Sequence, residues 1–111
     1  MLAVECARSA SYYGACIADQ CLNIDGDPSA QLQLAEAAAT AKIHASEGFF
    51  NCAAESIQLH GGVGFTWEYD PHLYFKRARA SEQVLGTAAV RREHLARDIV
   101  GERPRTLVSA R

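Results

Sequence analysis

Residues 30 to about 60 form an alanine-rich segment of some thirty residues that ends in Gly61-Gly62-Val63-Gly64, and no other stretch limits the possible folds so sharply. Leu34, Ala38, Ala41, Ala45, Phe49, Ala53 and Ile57 recur at steps of three or four, which predicts one apolar stripe along a helix. At about 1.5 Å per residue, such a helix is on the order of 45 Å long, enough to serve as the spine of a bundle. The three glycines permit positive φ and remove Cβ atoms, so the backbone can leave the helix sharply or admit another body close to its amides. Taken alone they fit a helix C-cap. They fail the G-x-G-x-x-G dinucleotide fingerprint, which opens a helix after a strand, whereas these glycines close one.

The rest of the chain reads as further helices separated by punctuation. Residues 2 to 22 hold Gly14 but no proline and predict a first helix. Residues 23 to 29, Asn-Ile-Asp-Gly-Asp-Pro-Ser, predict a break. Asp70-Pro71 predicts the start of a third helix running to about Leu85, with Asp70 as the cap and Pro71 at the first helical position. Thr87 can cap a fourth helix reaching about Val100. The expected fold is therefore all-α, an antiparallel four-helix bundle over residues 1-100 with a flexible basic tail at 101-111. The many alanines of the first two helices allow close approach but bury little area each, so the bundle is expected to want partners.

With 111 residues the chain forms one domain, long enough for a bundle core but short for a complete cofactor enzyme. Residues 1 to 70 carry two Lys/Arg against nine Asp/Glu, and residues 71 to 111 carry nine against four. This asymmetry predicts complementary helix faces. It lacks the aromatic interleaving of a nucleic-acid surface, and no nucleic-acid partner is expected. Cys6, Cys16, Cys21 and Cys52 form no C-x-x-C pair and read as reduced, small core residues of a cytoplasmic protein. His44, His60, His72 and His94 show no metal-ligand spacing, so no metal is expected. No basic segment precedes an apolar run at the start, where Glu5 already interrupts, and no run approaches about twenty apolar residues, so neither a leader nor a membrane span is expected.

Gln58-Leu59-His60-Gly61-Gly62-Val63-Gly64-Phe65-Thr66-Trp67-Glu68-Tyr69, followed by Leu85-Gly86-Thr87 and Arg91-Arg92-Glu93-His94-Leu95-Ala96-Arg97, resembles the C-terminal helical domain of the acyl-CoA dehydrogenase family. These flavoenzymes desaturate acyl-CoA thioesters between the α and β carbons. The resemblance covers nearly the whole chain and is strongest from Ala35 to Val100. It implies an FAD-dependent acyl-CoA dehydrogenase whose other domains are absent from this sequence, with acyl-CoA as substrate only when those domains are present. It also implies partner subunits of the same family in a homo- or hetero-oligomer, since these helices form the family's subunit interfaces.

By the same resemblance, Gln58 and the backbone at Gly61 and Gly62 match residues that meet the adenosine-diphosphate part of FAD bound mainly by a neighbouring subunit. Thr87 matches a hydroxyl near the flavin end. The plain structural alternatives are a solvated helix end for Gln58, a C-cap for the glycines and an N-cap for Thr87. The family's base is commonly a Glu directly before Gly-Thr, and here that position is Leu85, which cannot accept a proton. Lys76-Arg77 stand where Arg-Asp is common, and Ala89 where some members place a flavin-contacting Gln. No catalytic residue is therefore assigned.

Glu82, one turn before Leu85, reads as a solvated helix glutamate rather than a substitute base. Phe65 and Trp67 are expected to anchor the glycine loop to the core. The resemblance leaves two options: another segment supplies the carboxylate, as in some relatives, or the chain is the non-catalytic subunit of a heteromeric bacterial acyl-CoA dehydrogenase, which fits the loss of the base with retention of the glycine loop. The competing expectation is a helical assembly module that dimerises without flavin.

Overall fold

The computed structural model describes residues 1–22 and 28–101. They form α1 (Leu2–Leu22), α2 (Pro28–His60), a short 3-10 segment (Gly61–Phe65), α3 (Pro71–Gln83) and α4 (Ala88–Val100). The all-α class holds, and the four helices appear in the expected order. Pro28 and Ser29, expected in the break, already belong to α2. Proline is tolerated there because the first amide of a helix has no partner within it. Positions 23–27 of the expected break and 102–111 of the expected tail lie outside the described residues.

α2 is the shared spine: α1, α3 and α4 each pack on it. α1 runs antiparallel to α2 through small residues. A Cβ placed on Gly48 would lie 3.3 Å from the Ala3 carbonyl oxygen, and one on Gly14 would lie 3.7 Å from that of Ala37. Further along, the Cys21 thiol donates to the Ala30 carbonyl at 3.1 Å. The expected close approach of alanine-rich helices is thus realised.

On the other side, Phe75 of α3 meets Phe50 of α2 with ring centroids 5.2 Å apart. The Arg79 guanidinium covers Phe50 at 4.1 Å from its centroid, a cation–π contact. Nearer the end of α3, the Lys42 ammonium donates to the Ser81 carbonyl at 2.7 Å and satisfies one of the acceptors a helix leaves open at its C-terminus.

The apolar stripe expected on α2 needs correction. Ala53 and Ile57 are buried and Leu34, Ala41 and Phe49 half-buried, but Ala38 and Ala45 are exposed. The buried residues of α2 are Ala37, Ile43, Ser46, Gly48, Ala53 and Ile57. A helix with neighbours on opposite sides must bury more than one face, so a single stripe cannot describe it.

The core is correspondingly thin. Ile17, Ala37, Ile43, Ala53, Ile57, Ala78 and Ala88 are its buried apolar residues. The radius of gyration is 18.4 Å, against about 13 Å for a compact chain of this length. The cysteines are free, as expected, but only Cys6 and Cys21 are half-buried; Cys16 and Cys52 are exposed rather than in the core. Both lie on long helices whose buried faces point elsewhere.

The helix ends follow the sequence in part. Pro71 opens α3, but the Asp70 side chain makes no capping bond. Its carbonyl instead accepts from Leu73 N at 2.9 Å, because Asp70 already has helical dihedrals that turn its side chain away from those amides. Thr87 does cap α4, its hydroxyl accepting from Val90 N at 3.4 Å. The acidic and basic halves of the chain meet where Arg92 of α4 grips both carboxylate oxygens of Glu47 on α2.

Candidate functional site

The three clustered glycines perform three different tasks. α2 ends at His60, and Gly61 takes φ +64°, the left-handed region that closes a helix. Gly64 is buried against that last turn: a Cβ there would lie 2.9 Å from the Ile57 carbonyl oxygen and 3.1 Å from His60 Cβ. At Gly61 and Gly62, by contrast, a Cβ would meet nothing within 4 Å. The backbone at these two residues is therefore open to an approaching body, while Gly64 sets the path of the segment. Thr66 completes the turn, with both its amide (3.0 Å) and its hydroxyl (2.8 Å) donating to the Val63 carbonyl.

Gln58 and Gly61 share one groove of about 290 Å³, lined also by Ala54, Ile57, Phe65 and Phe75. Its lining is apolar apart from the Gln58 amide and the exposed backbone. Gln58 is exposed, so its amide is open to solvent or ligand. Phe65 and Trp67 do not anchor this loop to the core: they are 74% and 86% exposed. Gly64 supplies the anchorage by backbone contact, which leaves both aromatic side chains on the outside.

Thr87 is not part of this constellation. The turn that carries it lies against the other half of α2, where Leu85 and Arg91 line a second groove, of about 200 Å³, with Ala35, Ala38, Ala39 and Lys42. The sixteen residues from Lys42 to Gln58 correspond to about 24 Å of helix. The four residues singled out in the sequence therefore form two clusters, Gln58 with Gly61 and Gly62 at one end, Thr87 at the other.

The second cluster contains Leu85, which the family resemblance sets at the usual base position. Leu85 has φ +64° and is 72% exposed. For a branched residue this is strained backbone, costing about 1–2 kcal/mol. Arg91 holds it, with Nε donating to the Leu85 carbonyl at 2.7 Å and Nη2 donating to the same oxygen.

Glu82 is half-buried and paired with Arg79 at 2.9 Å, so it is not the freely solvated residue expected. The pairing still belongs to a structural role, and Glu82 does not line the Leu85 groove. Lys76, Arg77 and Ala89 are exposed. Arg91, Lys42 and Phe75 are the site-lining residues that sequence reasoning missed. Arg91 has an indirect signal, being a cation one turn into a helix that follows a glycine turn.

The electrostatics are concentrated at Glu47. The hydrogen bonds from Arg92 hold its carboxyl below the usual glutamate range, helped by the charges of Arg92 and His44 and opposed by partial burial. Among the described residues, no group of three His, Cys, Asp or Glu side chains is placed to hold a metal ion. Within the same residues, no helix is long and apolar enough to cross a membrane.

Comparison with known proteins agrees with this architecture. Residues 3–100 match the family model described as acyl-CoA dehydrogenase, C-terminal domain. Over 48 residues the chain is 62% identical to acyl-CoA dehydrogenase IpdE2 of Mycobacterium tuberculosis, a match covering 43% of this chain and 15% of that protein. The Mycolicibacterium smegmatis IpdE2 is 51% identical over 49 residues, 44% of this chain and 16% of that protein. The long-chain specific mitochondrial acyl-CoA dehydrogenase of Sus scrofa is 39% identical over 67 residues, 60% of this chain and 16% of that protein. The chain thus spans about a sixth of the length of these relatives. No solved structure matches. Helix order, glycine turn and a match over nearly the whole chain lead to one assignment: the protein belongs to the acyl-CoA dehydrogenase family, of which it carries the C-terminal domain.

Proposed function

We propose that this chain supplies the C-terminal helical layer of an FAD-dependent acyl-CoA dehydrogenase and completes an FAD site across a subunit interface. The observation that carries the reading is the open backbone at Gly61 and Gly62, with Gly61 beside the Gln58 amide in one apolar groove. Such a surface fits the adenosine-diphosphate part of FAD: glycine amides can approach phosphate oxygens, Gln58 can donate or accept, and Phe65 and Phe75 offer apolar faces. When bound, FAD would supply the hydride acceptor for α,β-desaturation of an acyl-CoA thioester.

The chain's own residues bind and orient. Gln58 and the glycine backbone hold one end of the cofactor, and Thr87 offers its hydroxyl at the other. About 24 Å of helix between the two clusters suits opposite ends of an extended dinucleotide, or cofactors belonging to two different subunits. Leu85 neither holds nor moves a proton, so the carboxylate that abstracts the α proton comes from another segment or another subunit. The chain then acts as the non-catalytic member of a heteromeric dehydrogenase. Its four free cysteines support a reducing, cytoplasmic setting.

A second reading is favoured by the exposed apolar side chains. Leu59, Phe65, Trp67, Leu73, Tyr74 and Leu85 all lie open, as an assembly surface would. On that reading the chain dimerises and holds no flavin. Absorbance of the purified chain, alone and co-expressed with dehydrogenase subunits from the same genome, separates the two. Flavin bands that appear with a partner and weaken in Gln58→Ala support the FAD site. Colourless oligomers under both conditions refute it and leave the assembly module.

A further inference from the structure

The turn between α3 and α4 is built against its own residue preferences. Val84 is extended, Leu85 and Gly86 both have positive φ (+64° and +89°), and Thr87 returns to extended backbone to cap α4. A leucine seldom adopts this geometry unless something outside it enforces the bend. Two cations from different helices do so here. Lys42 of α2 donates to the Ser81 carbonyl at the end of α3, and Arg91 of α4 donates twice to the Leu85 carbonyl. Gly86 suits this turn through its φ of +89°, and a Cβ there would lie in ordinary contact with Arg91 Nε at 3.7 Å. Lys42 and Arg91 are also the charged side chains lining the groove in which Leu85 lies.

We propose that Arg91 is the positioning residue of this turn: its guanidinium, bound to the Leu85 carbonyl, holds residues 84–87 in the left-handed bend and places positive charge where a proton-abstracting carboxylate would have to work. The turn is thus unsuited to proton abstraction twice over, by the apolar side chain at Leu85 and by the cations beside it. A general base is most effective with its pKa near the working pH, and an adjacent guanidinium pulls a carboxylate away from that range. Restoring a glutamate alone would therefore not restore a competent base. The inference rests on the family reading only in identifying residue 85 as the base position; its tests need no flavin and stand or fall independently of the FAD site.

NMR of the full chain provides the test. Leu85 should show the scalar couplings of positive φ in the wild type and in Arg91→Lys, and lose them in Arg91→Gln while the signals of Ala53 and Ile57 stay in place. Retention of the positive-φ couplings in Arg91→Gln would overturn the positioning role. Should Arg91→Gln fold poorly, the Leu85→Gly background provides the control, because glycine accepts this φ freely. There Arg91→Gln should lower the melting temperature more than in the wild type, because no strain is released when the guanidinium is lost, and an equal loss in both backgrounds refutes the proposal.

The charge half is read by titrating the introduced carboxyl in Leu85→Glu by carbon NMR. It should ionise below the ordinary glutamate value, and adding Arg91→Gln should bring it back up. An ordinary value that Arg91→Gln leaves unmoved would refute it.

Discussion

Alanine at each of the three clustered glycines should give three different results. At Gly64 the new Cβ would stand 2.9 Å from the Ile57 carbonyl oxygen, about 0.5 Å inside the 3.4 Å where ordinary contact begins. The obstacle is backbone in the last turn of α2, joined on its other side to buried Ile57, so it cannot swing away as a side-chain tip would. Overpacking of this kind costs about 1–3 kcal/mol; at 2 kcal/mol, a domain of this size loses roughly 8–16 °C in melting temperature. Gly61→Ala meets no atom but must hold φ +64°, which costs about 1 kcal/mol and roughly 4–8 °C. Gly62→Ala has free space and no positive φ, so it should be neutral or slightly stabilising. Circular-dichroism melts of the three variants provide the assay. If Gly64→Ala melts within 2 °C of wild type, or Gly62→Ala falls as far as Gly64→Ala, the division of labour argued here is wrong. Flavin content measured on the same variants adds the functional axis: Gly62→Ala should lose cofactor without losing stability if phosphate oxygens approach that backbone.

Thr87→Ala should lose about 0.5–1 kcal/mol through the missing cap, whose 3.4 Å bond lies at the weak end of the range, whereas Thr87→Ser should keep both stability and any flavin contact. Leu85→Gly should raise the melting temperature by relieving about 1 kcal/mol of left-handed strain, and a drop would show that the Leu85 side chain contributes packing its exposure does not suggest. Trp67→Ser should leave the melting temperature of the isolated chain within experimental error while weakening its association with partner subunits in sedimentation; a large loss of stability would restore the anchoring role that its exposure removes. Because the folded pKa of Glu47 is lowered, the Glu47–Arg92 pair contributes fully above the unfolded glutamate value and is lost as pH falls through the folded one. The gap in melting temperature between wild type and Glu47→Gln should therefore be widest near neutrality and close in acid, and a gap independent of pH would refute the pairing.

What could be read from the sequence was local. Helix existence followed from periodicity, and Pro71, Thr87 and the glycine run fixed three helix ends to within two residues of where they fall. Three kinds of information were not local. The buried positions of α2 depend on its having neighbours on two sides, which one periodic stripe cannot encode. Asp70 has the residue type of a cap but not the dihedrals, because the preceding turn has already placed it in helical backbone. Phe65 and Trp67 looked like loop anchors by chemistry, yet the backbone packing of Gly64 made an aromatic anchor unnecessary.

The separation of the two residue clusters bears directly on function. Gln58, Gly61, Gly62 and Thr87 are joined by family likeness, but one helix holds them apart by about 24 Å. With that arrangement, a thin core and exposed Phe65, Trp67 and Leu85, the chain presents two separate grooves, which the proposed function treats as half-sites. On the proposed reading, each half-site is completed by surfaces of other segments or subunits. Partner dependence, on that reading, follows from the geometry as well as from the chemistry. On the same reading, the leucine at residue 85 bears on which subunit moves the proton, and the placement of the clusters along α2 is a separate argument for an assembly. A monomeric chain binding FAD as tightly as an intact dehydrogenase would contradict this argument at its root.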